Sequence, residues 1–172
     1  EYDYQSLNAS FNIAGSFAKD NFTIGLTTQY FNDELSLFTD LSNPKSSTIQ
    51  EGKSRNVFAA TLAASQILTV TDVVQFDLTY VNASGDMEST AGTVLVNGVR
   101  KLEQLPDSRN RYATSVKLVH GLSETSAMNL SYRYYVDSWG LDAHTVRGAY
   151  LIELNEDEDF VEYSLRIHSQ GS

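Results

Sequence analysis

The chain has 172 residues and no cysteine, so disulfides, thiolate metal sites and cysteine nucleophiles are excluded together. Its formal charge of −10, from 22 acidic against 12 basic residues, argues against a nucleic-acid partner, whose phosphates it would repel, and offers no polybasic lipid anchor. No run of about 18 apolar residues is present, which excludes a helical membrane span.

Taken in chain order, the sequence alternates apolar and polar residues with period two, and the pattern restarts about eight times. The first two runs, Tyr4 to Ala14 and Asn21 to Tyr30, carry Phe11 and Ile13, then Phe22, Ile24 and Leu26, with small or polar residues between. The third, Asn56 to Leu68, has small residues on both faces and alternates less cleanly. Val73 to Asn82 is the clearest, with Val74, Phe76, Leu78 and Tyr80 in one phase and Gln75, Asp77 and Thr79 in the other. Arg111 to Leu122, Ala127 to Val136, Asp142 to Glu153 and Phe160 to Ser169 complete the set.

Strands of roughly 10 to 13 residues match tilted membrane-crossing strands and exceed the usual globular strand. Because only alternate residues would face lipid, the mean hydropathy of −0.28 fits a barrel as well as a soluble protein. The connections alternate in length. Gly15 to Asp20, Thr69 to Asp72, Ser123 to Ser126 and Leu154 to Asp159 are short, whereas Phe31 to Arg55 and Ala83 to Asn110 are long and polar and the third connection at their end, Asp137 to Leu141, is brief. Short turns at one end and long loops at the other are the habit of outer-membrane barrels. The predicted fold is therefore all-β, an antiparallel up-and-down transmembrane β-barrel with about eight strands in this chain, either a closed small barrel or part of a larger one. A single domain over residues 1–172 is expected, since no linker or change of composition divides it.

Phase assigns the faces. Tyr112, Val116, Leu118, Met128, Leu130, Tyr132, Val161, Tyr163, Leu165 and Ile167 are expected to point outward to lipid. Asp77, Lys117, Arg133, Arg147, Glu153, Glu162 and Arg166 then share the interior as lumen charges. A Lys or Arg facing lipid at mid-membrane costs about 2–4 kcal/mol, which favours this phase over its one-residue slip. Tyr30, Phe31, Tyr80, Tyr135, Trp139 and Phe160, near strand ends, suit interfacial girdles.

Asp107, Arg109 and Arg111 at one strand entry, and Asp137, Trp139, Asp142 and His144 around a short hairpin, are the candidate rim residues. Their plain reading is a charge-assisted network that holds the hairpin. Their catalytic reading is an Asp142–His144 pair activating Ser138 or a water, without a diagnostic serine motif beside it. His120 reads as interfacial, and three dispersed histidines give no transition-metal spacing. The acidic run Asn155 to Asp159 lacks the spacing of a calcium loop. No cofactor is expected.

Leu105-Pro106-Asp107-Ser108-Arg109-Asn110-Arg111 and Tyr132-Arg133-Tyr134-Tyr135-Val136-Asp137-Ser138-Trp139, with His144-Thr145 five residues on, resemble a family of uncharacterised bacterial outer-membrane β-barrel proteins. The resemblance covers most of the chain after Arg55 and little before it. It implies the outer membrane of a Gram-negative bacterium and an antiparallel barrel, and brings no activity. It also implies that the chain corresponds to the later part of a longer protein. The absence of a signal peptide, and an end at His168-Ser169-Gln170-Gly171-Ser172 rather than on an aromatic residue, read in the same way, as an excerpt.

The function expected is non-enzymatic: a structural, anchoring or small-pore component, with the lipid bilayer as its surroundings and protein partners at the long loops or open barrel edges. The alternatives are a soluble lipocalin-like ligand-binding barrel, with its apolar face inward, and an outer-membrane hydrolase using Asp142 and His144.

Overall fold

Ten strands account for the regular structure of the computed structural model, which describes residues 4–38, 49–88, 93–154 and 159–171. They are β1 (Tyr4–Phe17), β2 (Phe22–Phe38), β3 (Ile49–Ile67), β4 (Asp72–Gly85), β5 (Thr93–Val96), β6 (Val99–Leu102), β7 (Ser108–Ser123), β8 (Ser126–Asp137), β9 (Asp142–Glu153) and β10 (Phe160–Gly171). Eight of them form one antiparallel sheet in the order β1-β2-β3-β4-β7-β8-β9-β10, with β1 and β10 as end strands. The fold is all-β, and the described residues contain no helix.

Two of the expected long loops are shorter than predicted. β2 runs on to Phe38 and β3 begins at Ile49, so much of Phe31 to Arg55 is strand. Backbone amides and carbonyls make a ladder whatever the side chains are, and here polar side chains reinforce it. Tyr30 Oη and Asn32 Nδ2 both donate to Asn56 Oδ1, at 2.7 and 2.8 Å. Within Ala83 to Asn110, β5 and β6 pair as a small hairpin closed by Asn97-Gly98, whose φ values of 52° and 77° are those of a two-residue primed turn. The acidic run Asn155 to Glu158 lies outside the described residues.

Close packing of chain segments groups the residues into two units, Glu1–Phe11 with Thr28–Ala59 and Val81–Asn110, and Asn12–Thr27 with Ala60–Tyr80 and Arg111–Ser172. In the first, Asp33 is 2% exposed and its carboxylate is fully engaged. Arg55 Nε and Nη2 donate to Oδ2 at 3.1 and 3.0 Å, and Ser6 Oγ donates to Oδ1 at 2.7 Å. Nearby, Lys53 Nζ donates to Asp86 Oδ1 at 2.8 Å and the Ser54 amide to Oδ2 at 3.0 Å. Gly85, at φ +108°, lies so close to the Ser54 carbonyl that an added Cβ would meet its oxygen at 2.3 Å, so glycine is what lets β4 end there.

The hydrogen bond from Lys53 holds the Asp86 carboxyl below its ordinary range, against a smaller upward push from burial. A depressed value in the folded state contributes stability that is complete above the unfolded carboxylate value and lost as pH falls through the folded one. An NMR titration of the Asp86 carboxyl should therefore give a midpoint below about 3.9. Lys53→Gln should raise that midpoint, and a wild-type midpoint at or above the ordinary value would refute the pairing.

Among its described residues the second unit has no large dry core. The described residues include no fully buried large side chain, and Ala113, Ala143 and Ala149 are its buried apolar residues. Its strands instead divide into two faces. Phe76, Leu78, Val116, Leu118, Leu130, Tyr132, Tyr163, Leu165 and Ile167 are exposed in the apolar phase. The polar phase is linked strand to strand by Asn12 to Thr27 at 2.6 Å, Thr61 with Thr79 at 3.1 Å and Ser115 to Asp77 at 3.0 Å. The Thr61–Thr79 contact fixes the phase of β3, leaving Leu62 on the apolar face, where the sequence pattern was least clear.

Candidate functional site

Antiparallel pairing puts directly opposed residues on one face, so the registers of β7 to β10 locate the charged groups. Lys117 opposes Ser131, Ser131 opposes Arg147, and Arg147 opposes Arg166, which sets three cations in one row across four strands. The adjacent row runs Ser115, Arg133, Thr145 and His168. Asp77 of β4 accepts from Ser115 and from Gln75 Nε2, the latter at 3.0 and 3.2 Å. Arg147 Nη2 is paired with Glu162 Oε1. Asp77, Lys117, Arg133, Arg147 and Arg166 line a depression of about 300 Å³. Of the expected lumen charges, Glu153 alone stands apart from them, at the exposed end of β9 opposite Phe160.

The rim residues are distributed differently. Asp107 and Arg109 belong to the first unit, where the Asp107 carbonyl accepts from the Gly85 amide at 2.8 Å. Arg111, Asp137, Trp139, Asp142 and His144 belong to the second. Asp137, 6% exposed, builds the β8–β9 turn: its Oδ1 accepts from the amides of Trp139 and Leu141 at 2.9 and 3.1 Å, and its Oδ2 from Tyr135 Oη at 2.8 Å. Such bonds replace the missing ladder in a turn. Gly140, at φ +86°, completes it, and Arg111 stands opposite Asp137 in the β7–β8 register.

His144 lies on the apolar face among tyrosines. Its Nδ1 shares a hydrogen bond with Tyr132 Oη at 2.7 Å, and its ring centroid is 4.9 Å from that of Tyr134, its direct cross-strand neighbour. Asp142 Oδ2 is 3.9 Å from His144 Nε2, beyond hydrogen-bond length, and both side chains are about half exposed. Tyr132, not Asp142, therefore orients this imidazole. His120 of β7 bonds through Nδ1 to Asp72 Oδ1 at 2.7 Å, beside the β3–β4 turn, where the Gly121 amide donates to the Thr71 carbonyl at 2.8 Å. Among the described residues no group of three or more His, Asp or Glu is arranged to hold a metal ion.

Sequence reasoning singled out neither Asp33 nor Lys53 nor Asp86, and missed that Tyr132 is the partner of His144. The register supplies the last of these: once Tyr134 is set opposite His144, Tyr132 follows two residues along on the same face.

A family model described as "Protein of unknown function (DUF3570)" matches residues 1–172, and so extends to the region before Arg55 that the resemblance left largely uncovered. No curated protein and no solved structure matches the chain.

Proposed function

The chain belongs to the DUF3570 family, whose function is unknown, and from that premise we propose that it forms wall strands of an outer-membrane β-barrel with a structural, anchoring or small-pore role. The observation that carries this reading is the division of the second unit into an exposed apolar face and a polar, charged one without a dry core. Water would leave Leu130, Leu165 and Ile167 unfavourably exposed, whereas hydrocarbon gives that face a solvent and leaves the charges to the other side. A lipocalin-like barrel would instead collect such residues around an internal ligand.

In this reading the strand segments of the second unit cross the bilayer. Tyr132, Tyr134 and His144 mark an interfacial belt, as amphipathic rings do at headgroup depth. The polar ladders of the first unit and the β5–β6 hairpin stand in water as the surface offered to protein partners. The barrel is either closed by this chain or completed by further strands at β1 and β10. The role is non-enzymatic, and a Gram-negative outer membrane is its location, on the resemblance of the Leu105–Arg111 and Tyr132–Thr145 motifs.

Fractionation of cells making the protein tests the proposal. It should sediment with outer membranes, require detergent for extraction and keep its β-sheet signature on heating in that detergent. Native protein recovered in plain buffer would refute it.

A further inference from the structure

We propose that the polar face of β7 to β10 is a binding surface for soluble polyvalent oxyanions, phosphate- or carboxylate-bearing solutes, a deepening that rests on this face lining the water-filled side of the barrel wall. Lys117, Arg147 and Arg166 occupy one cross-strand level, with Arg133 one row away. Four cations are thus gathered against two carboxylates, Asp77 and Glu162, in a chain whose net charge is −10. The carboxylates are already used: Glu162 pairs with Arg147, and Asp77 takes Ser115 and Gln75.

Among the described residues no carboxylate pairs with Lys117 or Arg166, and the neighbour of Arg133 is the Tyr135 ring, 6.0 Å from its guanidinium carbon. Arg147 and Arg166 stand directly opposite each other, a like-charge pair that opposes sheet formation. An anion bridging them would relieve that repulsion, and guanidinium forks suit carboxylate and phosphate oxygens. Ser131, between Lys117 and Arg147 in the same row, adds a neutral hydroxyl donor, and the depression of about 300 Å³ is large enough for a small solute.

Isothermal titration of the detergent-folded full chain with inorganic pyrophosphate, and separately with citrate, tests this. Arg166→Gln and Lys117→Gln should each weaken both by about tenfold, the loss of about 1.4 kcal/mol, while Arg166→Lys stays within about threefold. Lys101→Gln, at an exposed position of β6, should change nothing. Equal affinity in wild type and both Gln variants, with their β-sheet spectra unchanged, overturns the proposal, as does wild-type heat no greater than that of sodium chloride at equal ionic strength. Binding of pyrophosphate but not citrate would narrow the ligand to phosphates. Anion binding by protein that stays folded without detergent would reject the membrane reading alone, and detergent dependence without anion binding would reject this inference alone.

Discussion

Replacing Leu78 by Lys should destabilise the lipid-folded protein by about 2–4 kcal/mol, while Gln75→Lys on the same strand should change it by no more than about 0.5 kcal/mol. Leu78 is 47% exposed in the apolar phase of β4, and Gln75 lies in the other phase, bonded to Asp77. If water bathed both faces, Leu78→Lys would be an ordinary surface change and as mild as its neighbour. In hydrocarbon the ammonium loses its hydration, whereas Lys at position 75 faces Asp77 and gains an ion pair. Folding titrations in urea with lipid vesicles measure both variants. Equal stabilities would show that lipid does not cover the Leu78 face.

The second large effect concerns Asp33. Removing one partner of a buried ion pair costs about 3–5 kcal/mol, because the other charge is left desolvated and unpaired. Asp33→Ala should fall near the lower end, at about 3 kcal/mol, since the Arg55 side chain retains 29% of its exposure and can recover some water. Asp33→Asn keeps one acceptor oxygen for Arg55 while its amide nitrogen can donate to a turned Ser6 hydroxyl, and it should cost less than Ala. The same urea titration distinguishes them. If Ala and Asn are both within about 0.5 kcal/mol of wild type, the pair contributes nothing to the first unit's stability.

How far the sequence disclosed the molecule depends on what each strand uses as its signal. The strand expected at Asp142 to Glu153 coincides with β9, because Ala143, Thr145 and Arg147 alternate with His144, Val146 and Gly148 without a break. The cationic row was legible as charges on one strand face, but its alignment was not. Phase gives the face, whereas only the register says that Lys117, Arg147 and Arg166 share a level.

β2 and β3 were underestimated for the opposite reason. Beyond Tyr30 the phases are filled by polar Asn32, Asp33 and Glu34, and the pairing of Asn32 with Asn56 and of Asp33 with Arg55 is a matter of partner identity that hydropathy does not register. The β5–β6 hairpin had a readable mark in Asn97-Gly98 between Val-rich runs, which polar composition around it obscured. The Asp–His pair of the rim looked like chemistry because two residues on one strand face are near one another. The observed partner came instead from the adjacent strand, as Tyr132.

The nineteen residues of β3 carry one further implication. At about 3.3 Å per residue such a strand is about 60 Å long, yet a tilted bilayer crossing consumes only about 9–11 residues. In the proposed reading about half of those residues therefore lie outside hydrocarbon, which spares the charged Lys53 and Arg55 a setting that would strip their hydration.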